Sequence, residues 1–161
     1  MKTPFLLNLY RQMVLRQVRS TTPTSLMPLS KVKSAAVFVD AQAGEDPQPI
    51  CRTVQQYFDY QGIPVRILCP QKGDLTINGR MKKRARGTRE SRKEDLFISL
   101  AGAPENFAAA FEACSSTARF KVGRFELPGA VFDLVVADPQ DGEASQAAAF
   151  AAIKDFLDKI R

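Results

Sequence analysis

The chain has 161 residues, 45% of them hydrophobic and 11 of them Phe, which is enough for one domain with a sizeable core. It has no His, and its only thiols are Cys51, Cys69 and Cys114; this excludes His-assisted nucleophiles and every His-containing zinc site, and leaves no paired metal-ligand spacing. The formal charge of +6 is sorted along the chain: residues 1–33 hold six bases and no acid, residues 72–93 hold nine bases against Asp74 and Glu90, and the remainder carries eight bases against fifteen acids. The expected object is a mildly acidic body with two basic appendages suited to gripping a polyanion. An odd number of unpaired cysteines fits buried, reduced thiols in a cytoplasmic protein.

In chain order, Leu6, Leu9, Tyr10, Met13, Val14 and Val18 recur at helical spacing and predict an amphipathic helix from Pro4 to Arg19. Phe5–Tyr10 opens like the apolar core of a signal peptide, but Asn8, Arg11, Gln12, Arg16 and Arg19 interrupt it, so no cleaved leader is expected. No segment approaches the roughly 18 apolar residues of a membrane span. The helix has three possible docking partners: its own domain, another protein, or an anionic membrane surface. Ser20–Ser25 and Pro28 read as a linker, which places a basic arm at 1–33 and an α/β domain at 34–161.

Past the linker, strand and helix patterns alternate. Ala35–Val39 is an apolar run of the kind buried on both faces of a sheet, and Pro47–Gln61 carries Ile50, Val54, Tyr57 and Phe58 at helical spacing before Gly62 stops it. Pro64–Cys69 is the second strand. The basic loop at 70–93 has no long periodicity, although Asp74–Gly79 suits a short strand and turn. Asp95–Leu100 is the third strand, and a helix follows with Phe107, Ala110, Phe111 and Cys114 as its stripe. Ala118–Val122 and Phe132–Ala137 are the fourth and fifth strands. The last helix, Glu143–Ile160, is expected to bury Ala147, Phe150, Ile153, Phe156, Leu157 and Ile160. Right-handed crossovers then give a three-layer α/β sandwich, Rossmann-like or flavodoxin-like, with a mostly parallel sheet of about five strands.

Open α/β sheets bind ligands beyond the carboxyl ends of their strands. Asp40 and Asp138 both follow strands, and together with Lys121 and Arg124 they define the alternative reading of a small-molecule-binding or transferase-like domain. Against it, Asp40–Asp46 contains one glycine and neither a dinucleotide turn nor a phosphate loop, and Asp after a strand is also a common turn former. No cofactor and no metal are expected. Asp133 is placed at the opposite end of the sheet.

The segment Phe120-Lys121-Val122-Gly123-Arg124, preceded by Ser116–Arg119 and followed by Phe132–Val136, resembles the signature of a family of small bacterial α/β proteins with no assigned activity. The resemblance extends back through Asp95–Ile98 and Gly73–Leu75 and covers about residues 33–161. This chain lacks the tryptophan that the family carries near Ile77, and its Arg80–Lys93 segment is more basic. The resemblance implies no enzymatic activity, and an accessory role on the large ribosomal subunit.

The charge pattern supports the same expectation separately, because neutralising phosphates releases counterions and gives sequence-independent affinity. The expected function is non-enzymatic anchoring to ribosomal RNA, with ribosomal proteins as neighbours and no DNA sequence specificity. The candidate RNA-binding residues are Arg11, Arg16, Arg19, Lys31 and Lys33 in the arm and Arg80, Lys82, Lys83, Arg84, Arg86, Arg89, Arg92 and Lys93 in the loop, with Lys121 and Arg124 in the signature segment. A peripheral membrane or protein-docking adaptor, working through the N-terminal helix, is a further alternative.

Overall fold

A computed structural model describes residues 5–86, 93–103, 106–138 and 145–160. The elements run α1 (Phe5–Val18), β1 (Ala35–Phe38), α2 (Gln48–Gln61), β2 (Val65–Leu68), α3 (Lys83–Arg86), β3 (Leu96–Ser99), α4 (Phe107–Ser115), β4 (Phe120–Gly123), β5 (Leu134–Val135) and α5 (Gln146–Lys159). The five strands form one all-parallel sheet in the order β2-β1-β3-β4-β5, which is the flavodoxin-like order.

Alternation along the strands divides the core into two layers. Ala35, Val37, Leu96, Ile98, Phe120 and Val122 face α2 and α5, where Val54, Phe58, Phe150, Ile153 and Leu157 meet them. Ala36, Phe38, Leu68 and Phe97 face the other way, onto the alanines of α4 and onto Met81. Small residues at 108, 109, 110 and 113 leave α4 with little side-chain bulk against the sheet, and the helix is buried from Phe107 to Cys114. Its outer side is covered by α1, whose Val14, Leu15 and Val18 pack on Phe107 and Phe111.

The basic arm is therefore folded onto the body. Met27 and Val32 belong to the core beneath α2 and α5, so the boundary drawn at residue 33 runs through packed side chains. Between β2 and β3 the crossover lacks a regular long helix over its described part. A small hairpin takes its place, with Leu75 bridged to Met81 and Gly79 at φ +89° in the turn, and the single turn of α3 follows. In α5 the buried face is Gln146, Ala149, Phe150, Ile153 and Leu157; Ala147 and Phe156, expected inside, are exposed.

Gly123, within Phe120–Arg124, is required by packing. A Cβ built there would lie 2.5, 2.6 and 2.7 Å from three ring carbons of Phe132, so the position must lack a side chain for that ring to cover β4. Gly123→Ala is expected to destabilise the fold by about 1–3 kcal/mol through overpacking. Urea denaturation checks this, with the midpoint falling at constant slope. Gly73→Ala is the matched control, because nothing lies within 4 Å of a Cβ there.

Candidate nucleic-acid interface

In an all-parallel sheet, the residues that lead into the strands share one rim. Lys31 and Lys33 lead into β1, Lys93 into β3 and Arg119 into β4, while Arg66 is the second residue of β2. Asp95 ties this rim together: its carboxylate accepts the Lys33 backbone N–H at 2.8 Å and Arg119 Nη2 at 3.2 Å. Lys31, Lys33, Lys93 and Arg119 are exposed, and the three lysines make no ion pair among the described residues.

The two roots of the basic loop, Arg86 and Lys93, border a cleft of about 290 Å³ that also takes in Arg66, Glu94, Glu112 and Ser115–Thr117. Two carboxylates are buried there, and each holds an arginine. Arg66 Nε donates to Glu94 Oε1 at 2.6 Å and its Nη1 to the Arg86 carbonyl at 2.7 Å. Arg86 Nε donates to Glu112 Oε1 at 2.6 Å, with its guanidinium 5.1 Å from the centre of the Phe111 ring. Buried carboxylates require such partners, because desolvating an unpaired charge costs several kcal/mol. The loop is thereby fixed at its base.

The other sequence-predicted cations divide into anchors and free groups. Arg11 donates to the Asn78 carbonyl at 3.1 Å and lies over the Phe107 ring, and Arg19 donates to the Gly129 carbonyl, so both hold the arm to the body. Arg80 lies 4.1 Å from the centre of the Phe111 ring. Arg84 is exposed and donates to the Gly73 carbonyl at 3.1 Å. Arg16 and Lys83 are exposed and Lys82 is half-buried. Arg89 and Arg92 lie outside the described residues.

Two expected RNA ligands are interior instead. Lys121 is 4% exposed, on the sheet face covered by α4, and burial pushes its pKa below the ordinary lysine value. Arg124 is 8% exposed and donates to Asp138 Oδ1 at 2.6 Å and to the Leu100 carbonyl at 3.0 Å. Alternation along β4 turns Lys121 to the face opposite Phe120 and Val122, and that face is covered by α4 and the segment around Leu127 and Val131. Conversely, Arg66, Arg119, Glu94 and Glu112 were missed. A single arginine inside Val65–Leu68 and a single glutamate inside Phe107–Cys114 were the available signs, since a lone charge in an apolar element needs a buried partner.

The carboxyl ends of the strands are occupied by the protein's own polar groups. The amide of Gln146, 2% exposed, accepts the Asp40 N–H at 2.8 Å and donates to the Asp40 carbonyl at 2.9 Å. The Asp40 carboxylate accepts the Gln42 N–H at 2.9 Å, and Asp138 is held by Arg124, so these two aspartates are engaged separately. Among the described residues no group of three or more His, Cys, Asp or Glu could hold a metal. Asp133 sits at the amino end, accepting the Thr24 hydroxyl at 2.7 Å and the Lys121 N–H at 2.9 Å.

The outer face of α1 is apolar as well as its inner one. Phe5, Leu6, Leu9, Tyr10 and Met13 point outward, with Phe5 78% and Leu6 76% exposed. Among the described residues no helix is long and apolar enough to cross a membrane. No family model, no curated protein and no solved structure matches the chain.

Proposed function

We propose that the protein is a non-enzymatic RNA-binding protein of the ribosome, anchored to RNA of the large subunit through the amino-terminal rim of its sheet and the basic loop rooted there. The observation that carries this reading is the opposition of the two ends of the sheet. At the amino end Lys31, Lys33 and Lys93 are exposed and make no described ion pair, and Arg119 is exposed beside them. At the carboxyl end, where this fold holds small ligands, Gln146 and Arg124 are engaged in hydrogen bonds to Asp40, Leu100 and Asp138. Lysines on a rim meet phosphates as point charges, and Arg84 adds a planar fork.

A second reading, a docking adaptor, draws on the outward stripe of α1. An RNA backbone offers that stripe no apolar partner, whereas a ribosomal-protein neighbour or an anionic bilayer does. One sedimentation series separates the readings. The purified protein should pellet with large ribosomal subunits and remain in the supernatant with vesicles of anionic phospholipid. Pelleting with vesicles but not with subunits would replace the RNA anchor by the adaptor.

A further inference from the structure

A rim of point charges needs no cavity, yet the loop root has one. Arg66, Arg86 and Lys93 line the cleft together with Glu94, Glu112 and Phe97, so three cations stand against two carboxylates. Both carboxylates are spent on the Nε side of an arginine: the Glu94 and Glu112 side chains are 4% and 5% exposed, and each pairs at 2.6 Å. Arg66 Nη2 and Arg86 Nη1 make no hydrogen bond among the described residues, and Lys93 is exposed beside them. Guanidinium groups held from behind, with N–H groups to spare, suit a phosphate.

Another part of the lining has the other polarity. Ser115, Ser116 and Thr117 belong to the end of α4, which carries the negative end of the helix dipole. The Ser115 hydroxyl donates to the Phe111 carbonyl at 2.7 Å and that of Ser116 accepts the Ala118 N–H at 3.1 Å, while Thr117 is exposed. A lone phosphate gains nothing from this end, whereas the amino and imino N–H groups of a nucleobase do. The cleft volume of about 290 Å³ is at the small end of ligand pockets, room for one nucleotide and not for a base pair.

Resting on the RNA-binding reading, we propose that the cleft seats a single unstacked nucleotide of the bound RNA, its phosphate on Arg66, Arg86 and Lys93 and its base between Phe97 and the end of α4. In an A-form helix the bases are stacked and paired, so only a nucleotide splayed out of a loop or bulge can enter. The basic rim supplies affinity without regard to sequence, and the cleft selects where on the RNA the protein sits.

The test measures binding of the full chain to two RNA hairpins with equal numbers of phosphates, one carrying a single-nucleotide bulge and the other fully paired. The parent should bind the bulged hairpin about tenfold or more tightly than the paired one. Arg66→Met with Glu94→Leu removes a cation together with its counter-charge, and Thr117→Met lays an apolar chain at the end of α4; both keep the net charge at +6. In each the two affinities should come within about twofold of one another, because only the sequence-independent attraction is left. Thr117 is exposed, so its substitution reports even if the buried pair proves necessary for folding. Adenosine 5′-monophosphate should compete with the bulged hairpin only at about millimolar concentration, since a free nucleotide lacks the rim contacts. Equal affinity of the parent for the two hairpins, a preference that survives in either folded variant, or mononucleotide binding as tight as that of the bulged hairpin would each overturn the proposal. Equal affinity leaves the RNA anchor standing, whereas a parent that binds neither hairpin overturns both.

Discussion

Replacing Glu112 by alanine is expected to cost about 3–5 kcal/mol of stability, the largest effect of any single substitution at the loop root. Glu112 lies on buried α4 and its side chain is 5% exposed; that of its partner Arg86 is 14% exposed, and the two meet through Nε–Oε1 at 2.6 Å and Nη2–Oε2 at 3.4 Å. Removing the carboxylate leaves a guanidinium against the Phe111 ring with no counter-charge. The chain must then either keep an unpaired buried cation or peel the loop root off α4 into water. Replacing both partners together, Arg86→Met with Glu112→Leu, should recover most of the loss, because an apolar pair of similar volume carries no desolvation cost. Urea denaturation of the parent, the two singles and the double closes the cycle. A single-substitution cost below about 1 kcal/mol at unchanged slope would mean that the pair is solvated, as surface pairs are.

Reversing Lys31, Lys33, Lys83 and Lys93 to glutamate is expected to weaken binding to large-subunit RNA by about a hundredfold or more at moderate salt, since each lost phosphate contact removes a counterion-release term. All four side chains are exposed, so the melting transition should stay close to that of the parent. Lys121→Met is the informative control: the lysine is buried, and its replacement should leave RNA affinity unchanged. Asp40→Asn should likewise leave it unchanged, because that carboxylate serves the Gln42 N–H at the other end of the sheet. A reversed protein that binds RNA as tightly as the parent, measured by filter retention, would remove the rim from the interface.

The fold was legible because its elements are strongly patterned. Ala35–Phe38 and Leu96–Ser99 are buried on both faces, and a continuous apolar run with helical periodicity between strands leaves few arrangements other than a parallel sheet. Depth was harder to read. Charge marked residues 1–33 as an appendage, yet Val14, Met27 and Val32 are buried and Arg11 and Arg19 donate to backbone carbonyls of the body. Lys121 and Arg124 look like surface cations in a sequence because their charge does not report that α4 and the segment around Leu127 and Val131 pack over this face of the sheet, or that Asp138 pairs with Arg124. Their segment carries packing and internal ion pairing, through Gly123 against Phe132 and Arg124 against Asp138. The basic rim was visible only in part: Lys31, Lys33 and Lys93 were named for their charge, but their alignment follows from the strand order, which places the starts of β1, β3 and β4 side by side.

The most direct test of the RNA anchor is the salt dependence of binding to purified large-subunit RNA. If the rim and loop neutralise about four to six phosphates, a plot of log affinity against log salt should be linear with a slope of about −3 to −5, and the four-residue reversal should flatten it toward about −1. A parent protein whose affinity is independent of salt, or that fails to bind at the lowest salt used, would contradict the account.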